Sequence, residues 1–69
     1  MYDSEKTARN LRVARAFKGI SQSELAELSG VSEGSIRAYE SDRVEMGLGN
    51  ACRLADALGI ELMELVAVK

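Results

Sequence analysis

The strongest constraint on this chain is a helix start signal that occurs three times. Ser21 is a good N-cap, Glu24 completes a capping box with it, and Ile20 and Leu25 occupy the two apolar positions of a hydrophobic staple. Val31 and Ile36 repeat that spacing around Ser32, and Ile60 and Leu65 repeat it around Glu61. A staple fixes the angle at which the chain enters a helix. Three of them in 69 residues specify the interhelical angles tightly, which suits a domain that presents one helix rigidly. The stretch from Ile20 to Glu40 carries two of the three, and it spells two short helices with Gly30 in the turn between them.

The rest of the chain reads as helix as well. Proline is absent, and no stretch alternates apolar and polar residues over six positions. Helix 1 is predicted over about 5–18, with Ser4 as N-cap and Gly19 as its stop. Helices 2 and 3 follow over about 22–29 and 33–41. Helix 4 spans about 48–58, closed by Gly59, and a short helix 5 spans about 62–66. The expected core is Leu11, Ala14, Ile20, Leu25, Ala26, Val31, Ile36, Tyr39, Leu48, Leu54, Ala55, Leu58, Ile60, Leu62 and Leu65. Cys52 is expected to be a partly buried structural thiol.

Composition narrows the function classes. The length leaves room for one domain, residues 1–69. A domain this small has a core worth roughly 3–5 kcal/mol, so dimerisation can matter to its stability. With no His and one Cys, transition-metal sites have almost no ligands and Ser-His or Cys-His catalytic pairs are impossible, so no enzyme is expected and no cofactor is implied. There is no signal-peptide pattern and no apolar run near the ~20 residues of a membrane span. A lone cysteine fits a reducing cytoplasm. The net charge of −2 argues mildly against nucleic acid, because many DNA-binding domains are strongly basic.

Against that balance stands a long pattern. Its residues are Leu11-Arg12, Lys18-Gly19-Ile20-Ser21-Gln22, Glu24-Leu25-Ala26, Gly30-Val31-Ser32, Ser35-Ile36, Tyr39-Glu40 and the run from Leu54 to Ile60. In these the chain resembles the phage repressor and Cro-like helix-turn-helix family of small bacterial and phage regulators. The resemblance covers about Leu11 to Leu65. It implies an all-α, five-helix, lambda-repressor-like DNA-binding domain. It further implies a sequence-specific transcriptional regulator, a repressor in the simplest case, binding double-stranded DNA as a homodimer with helix 3 in the major groove.

The resemblance also assigns residues. Gln22 matches a glutamine that contacts phosphate, and a helix N-terminus suits a phosphate; its plainer role is that of a good first helical residue. Ser21, Ser35 and Arg43 are further phosphate candidates. Arg15 and Glu40 match a salt bridge between helices 1 and 3, the alternative being two unrelated surface charges.

The base-reading face would carry Ser32, Glu33, Gly34, Arg37 and Ala38. Relatives often place Gln, Arg, Lys, Ser or Asn at the positions of Glu33, Gly34 and Ala38; here one is acidic and two have no side-chain donor. Glu33 either accepts from a cytosine amino group or stabilises the helix N-terminus. Gly34 either permits close approach of the backbone to DNA or reflects drift. Arg37 is the strongest reader, by a bidentate contact to guanine, with a phosphate contact as the other option. Lys6, Arg9, Arg12, Arg15 and Lys18 wind around helix 1 and form no stripe.

Met63, Val66 and Val68 are the candidate dimer surface, with Val44 and Met46 adding apolar loop surface; packing within the monomer is the alternative. Val13 and Phe17 either form a second contact patch or extend the core. The sparse reading face keeps a second function open: a protein-interaction module, such as an antitoxin that masks a partner, with DNA binding weak or lost.

Overall fold

The computed structural model describes residues 2–68. Five helices follow in order: α1 (Ser4–Lys18), α2 (Gln22–Ser29), α3 (Glu33–Glu40), α4 (Leu48–Leu58) and α5 (Leu62–Leu65). α2 packs on α3 and α4, while α1 packs on α3, α4 and α5. Every helix places one fully buried side chain at the centre: Leu11, Leu25, Ile36, Leu54 and Leu65 in chain order. The staple partners Ile20, Val31 and Ile60 border or join this cluster.

The local start signals operate as read. Ser21 Oγ accepts from the Glu24 N–H at 3.0 Å, and Glu24 Oε1 accepts from the Ser21 N–H at 2.9 Å. Ser32 Oγ accepts from the Ser35 N–H at 3.1 Å. Glu64 Oε1 accepts from the Glu61 N–H at 2.9 Å. Gly30 adopts φ 77°, a left-handed conformation that lets α2 end and the chain turn abruptly into α3.

Seven expectations are corrected. α1 begins a residue early, because Asp3 and not Ser4 caps it, accepting from the Lys6 N–H at 3.1 Å. α3 ends at Glu40 and α5 at Leu65, one residue short of the predicted ends. Leu48 is 60% exposed, because it lies at the open end of the inward stripe formed by Ala51, Leu54, Ala55 and Leu58. Met46, expected on the loop surface, is buried in the core cluster instead. Cys52 is exposed, being on the side of α4 away from that stripe. Val66 is buried at 4% exposure, so it does not belong to a dimer surface. The cause lies just after α5, where Val66 turns extended and its N–H donates to the Leu62 carbonyl at 2.8 Å.

That extended tail is stitched to the start of the chain. The Asp3 N–H donates to the Ala67 carbonyl at 2.8 Å, and the Ala67 N–H donates to Thr7 Oγ1 at 2.9 Å. Asn10 Nδ2 donates to the Leu65 carbonyl at 3.0 Å. Tyr2 and Val68 form an isolated antiparallel bridge beside them. Thr7 and Ala8 are buried as a result. Val13 and Phe17, by contrast, extend nothing inward: both are exposed, Phe17 at 95%.

Candidate nucleic-acid interface

Glu40, the last residue of α3, is 6% exposed and organises the region. Arg15 grips its carboxylate from α1 in a two-point contact, Nε to Oε2 at 2.7 Å and Nη2 to Oε1 at 3.0 Å. The third nitrogen of that guanidinium donates to the Ile20 carbonyl at 2.9 Å, fixing the turn between α1 and α2. Gln22 Nε2, at the start of α2, donates to Glu40 Oε1 at 3.1 Å. Arg12 Nη1 donates to the Glu40 main-chain carbonyl. All three guanidinium nitrogens of Arg15 and both carboxylate oxygens of Glu40 thus have a partner, and among the described residues no buried side-chain polar atom lacks one.

Hydrogen bonding to Glu40 raises the Arg15 pKa above the usual arginine value, against the opposing effect of burial. A raised base contributes stability below its unfolded pKa and loses it only above its folded one. Both lie far above neutrality for arginine, so Arg15 stays charged throughout the working range.

On its other side α3 is open. Ser32, Gly34 and Arg37 are exposed, and Glu33, Ser35 and Ala38 are half-buried. Ser32 Oγ is spent on the cap and on a bond to Ser35 Oγ at 2.9 Å. Arg37 Nη2 donates to Glu33 Oε2 at 3.1 Å, one turn back along the helix. A Cβ on Gly34 would meet nothing within 4 Å, and Gly34 does not have a positive φ. Neither packing nor backbone conformation therefore requires glycine there.

Beyond α3, Asp42 takes φ 57°, a left-handed conformation that Asp tolerates. The Arg43 N–H returns to the Ala38 carbonyl at 3.0 Å, and Arg43 Nε donates to Ser41 Oγ at 3.1 Å. This holds the exposed Arg43 directly after α3. Asn50 Nδ2 donates to the Tyr39 hydroxyl at 2.7 Å, tying α3 to α4 as well.

The fold therefore leaves Ser32, Glu33, Gly34, Ser35, Arg37 and Ala38 wholly or partly exposed at the start of and along α3, with Arg43 just beyond it and Ser21 and Gln22 at the start of α2. Gln22 differs from its expected phosphate role in one respect: its amide already serves Glu40. Sequence reasoning missed Arg12 as a partner of Glu40 and Asn50 as a partner of Tyr39. The three-residue spacing of Arg12 and Arg15, neighbours on one helix face, was the available signal for Arg12.

A helix-turn-helix family pattern matches residues 11–65, most of the chain. The chain belongs to the helix-turn-helix family. Its similarity to solved members is close. The restriction-modification controller protein C.AhdI from Aeromonas hydrophila superposes with a TM-score of 0.87 at 40% identity, over 91% of this chain and 96% of that one. A hypothetical transcription factor from Neisseria gives 0.86 at 35% identity, over 91% and 72%. The P22 c2 repressor, solved in complex with a synthetic operator, gives 0.79 at 27% identity, over 86% and 89%.

Among curated proteins, an uncharacterized HTH-type transcriptional regulator of Sinorhizobium fredii is 36% identical over 62 residues. That match spans 90% of this chain and 32% of the relative, so the chain spans about a third of that relative's length. Among the described residues, no helix is long and apolar enough to cross a membrane.

Proposed function

We propose that the chain is a sequence-specific DNA-binding transcriptional regulator, a repressor in the simplest case, that works in the cytoplasm with α3 in the major groove. The observation that carries this reading is the Glu40 hub. It fixes α3 against α1 and α2 through Arg15, Ile20 and Gln22, and it leaves the exposed residues of α3 free. A helix fixed in this way meets the geometric demand of reading base edges in the major groove. Similarity to the P22 c2 repressor, solved with an operator, supports the same reading.

In this reading Arg37 and Glu33 face the bases. Ser21, Ser35 and Arg43 meet phosphates, and Gln22 does so while holding Glu40. The free cationic groups are few, so the monomer binds modestly. A homodimer would supply a second α3 about 34 Å away, matching successive major grooves. Met63, 69% exposed, is the apolar residue best placed to join two copies, with the exposed Val68 beside the chain terminus. A groove lined by Val13, Phe17 and Ile60 continues the apolar surface from α5 onto α1.

Fluorescence titration of a labelled random duplex at low and moderate salt tests the proposal. Affinity should fall as salt rises, with a slope of about 0.9 per phosphate contact. Absence of salt-dependent binding at low salt would overturn it and leave the protein-interaction module as the better reading.

A further inference from the structure

We propose that Glu33 and Arg37 form one two-letter reader that selects a cytosine and a neighbouring guanine. This rests on the DNA-binding reading above and specifies what its sparse face recognises. Glu33 is the first residue of α3, and Arg37 lies one turn later on the same exposed side. Their contact uses one oxygen of the carboxylate and one nitrogen of the guanidinium. Among the described residues, Glu33 Oε1 and Arg37 Nε and Nη1 have no hydrogen-bond partner, and Nη2, with one of its two hydrogens given to Glu33, keeps the other to complete a two-donor edge with one of those nitrogens.

Those spare atoms are complementary to the edges of a G·C pair. In the major groove guanine offers two acceptors, N7 and O6, which suit the donors of arginine. Cytosine offers an amino donor, and a carboxylate can only accept. Facing thymine O4 or guanine O6, the same carboxylate sets acceptor against acceptor, so it rejects as well as selects.

The pair is also alone at full length on this face. Its neighbours Gly34 and Ala38 carry one carbon or none, and nothing lies within 4 Å of the Cβ position of Gly34. Small neighbours let the helix seat deeply enough for two long side chains to reach base edges. The bond between them restrains the Arg37 side chain before DNA arrives, so less rotamer freedom is lost on binding. Because the pair is neutral as a unit, it releases no counterions. Its contribution is discrimination between sequences, not attraction to the backbone.

Selection from a random duplex pool tests this with the wild-type chain, Glu33→Ala and Arg37→Ala. The wild-type consensus should contain a cytosine and, within one base-pair step, a guanine. Glu33→Ala removes the acceptor and should lose the cytosine preference, by about 5- to 150-fold against the next-best base, and should bind random duplex more tightly. Arg37→Ala should lose the guanine preference by a similar factor while keeping the salt slope of wild type.

Retention of the cytosine preference in Glu33→Ala overturns the proposal, since Glu33 would then act only on the helix. A salt slope about one lower in Arg37→Ala also overturns it, since that marks a phosphate contact. Binding without any selected sequence overturns the reader but not the DNA reading. Absence of duplex binding by the wild-type chain overturns both. Both side chains are exposed, so circular dichroism of each variant should match wild type.

Discussion

At the end of α3, Glu40 takes hydrogen bonds from Arg12, Arg15 and Gln22 and is nearly sealed from solvent. Nearer the start of the same helix, Arg37 touches Glu33 alone, and both side chains are about half exposed. Each pair is an arginine with a glutamate, yet the physics differs. An exposed i,i+4 pair is worth about 0.3–0.5 kcal/mol, whereas breaking a buried pair from one side costs about 3–5 kcal/mol. The contrast teaches that the chain spends its ionic interactions on the orientation of α3. It leaves the outward face soft enough for other partners to compete.

The largest break in this contrast should come from Arg15→Ala. It strands a carboxylate that is almost fully buried, at a cost of about 3–5 kcal/mol. A domain of this size holds roughly 3–10 kcal/mol in total, so urea denaturation should show a chain close to unfolding. Glu40→Ala should cost less, because the stranded Arg15 guanidinium is 23% exposed and still holds the Ile20 carbonyl. If the two variants cost the same, burial is not what separates the hub from the reading face.

A second comparison uses the seam between the chain ends. Thr7→Val keeps the shape but leaves the Ala67 N–H without its acceptor, which should cost about 1–3 kcal/mol in the same denaturation. An unchanged midpoint would show that water replaces the hydroxyl at no cost.

Gly34→Ala should act in the other direction. The added methyl has open space and an ordinary helical backbone, so stability should rise by up to about 1 kcal/mol in a thermal melt. Duplex titration of the same variant sharpens the comparison: weaker binding with higher stability would show that glycine serves approach to DNA. Smallest of all should be Leu48→Ser, whose exposed side chain should leave stability within about 0.5 kcal/mol.

The parts legible in the sequence were those written locally. Ser21, Glu24 and Gly30 define α2 from within ten residues, and the structure reproduces each of their roles. The Arg15–Glu40 contact was legible only through family resemblance, because 25 residues separate the partners and neither carries a local signal. Met46 and Leu48 were exchanged for a related reason. Which of two apolar residues enters a core depends on where the loop from Asp42 to Gly47 delivers α4, and that path is set by tertiary contacts. Val66 became buried where the chain turns extended just after α5, and Thr7 through hydrogen bonds between the two ends of the chain, neither of which periodicity encodes. On the reading face, residue identities were plain, but the Glu33–Arg37 bond was not foreseen although its i,i+4 spacing permits it.

The seam has a consequence in time. Its side-chain bonds join residues 55 and 60 positions apart, almost the full length of the chain. Contacts that close such long loops carry a large entropy cost and tend to form after local ones. Helices α2 and α3, by contrast, are capped from within and lie next to one another. The turn unit can therefore assemble early, and the tail after α5 locks the first helix last. Loss of that lock should hasten unfolding and leave the folding rate nearly unchanged, so the seam governs how long a folded molecule lasts.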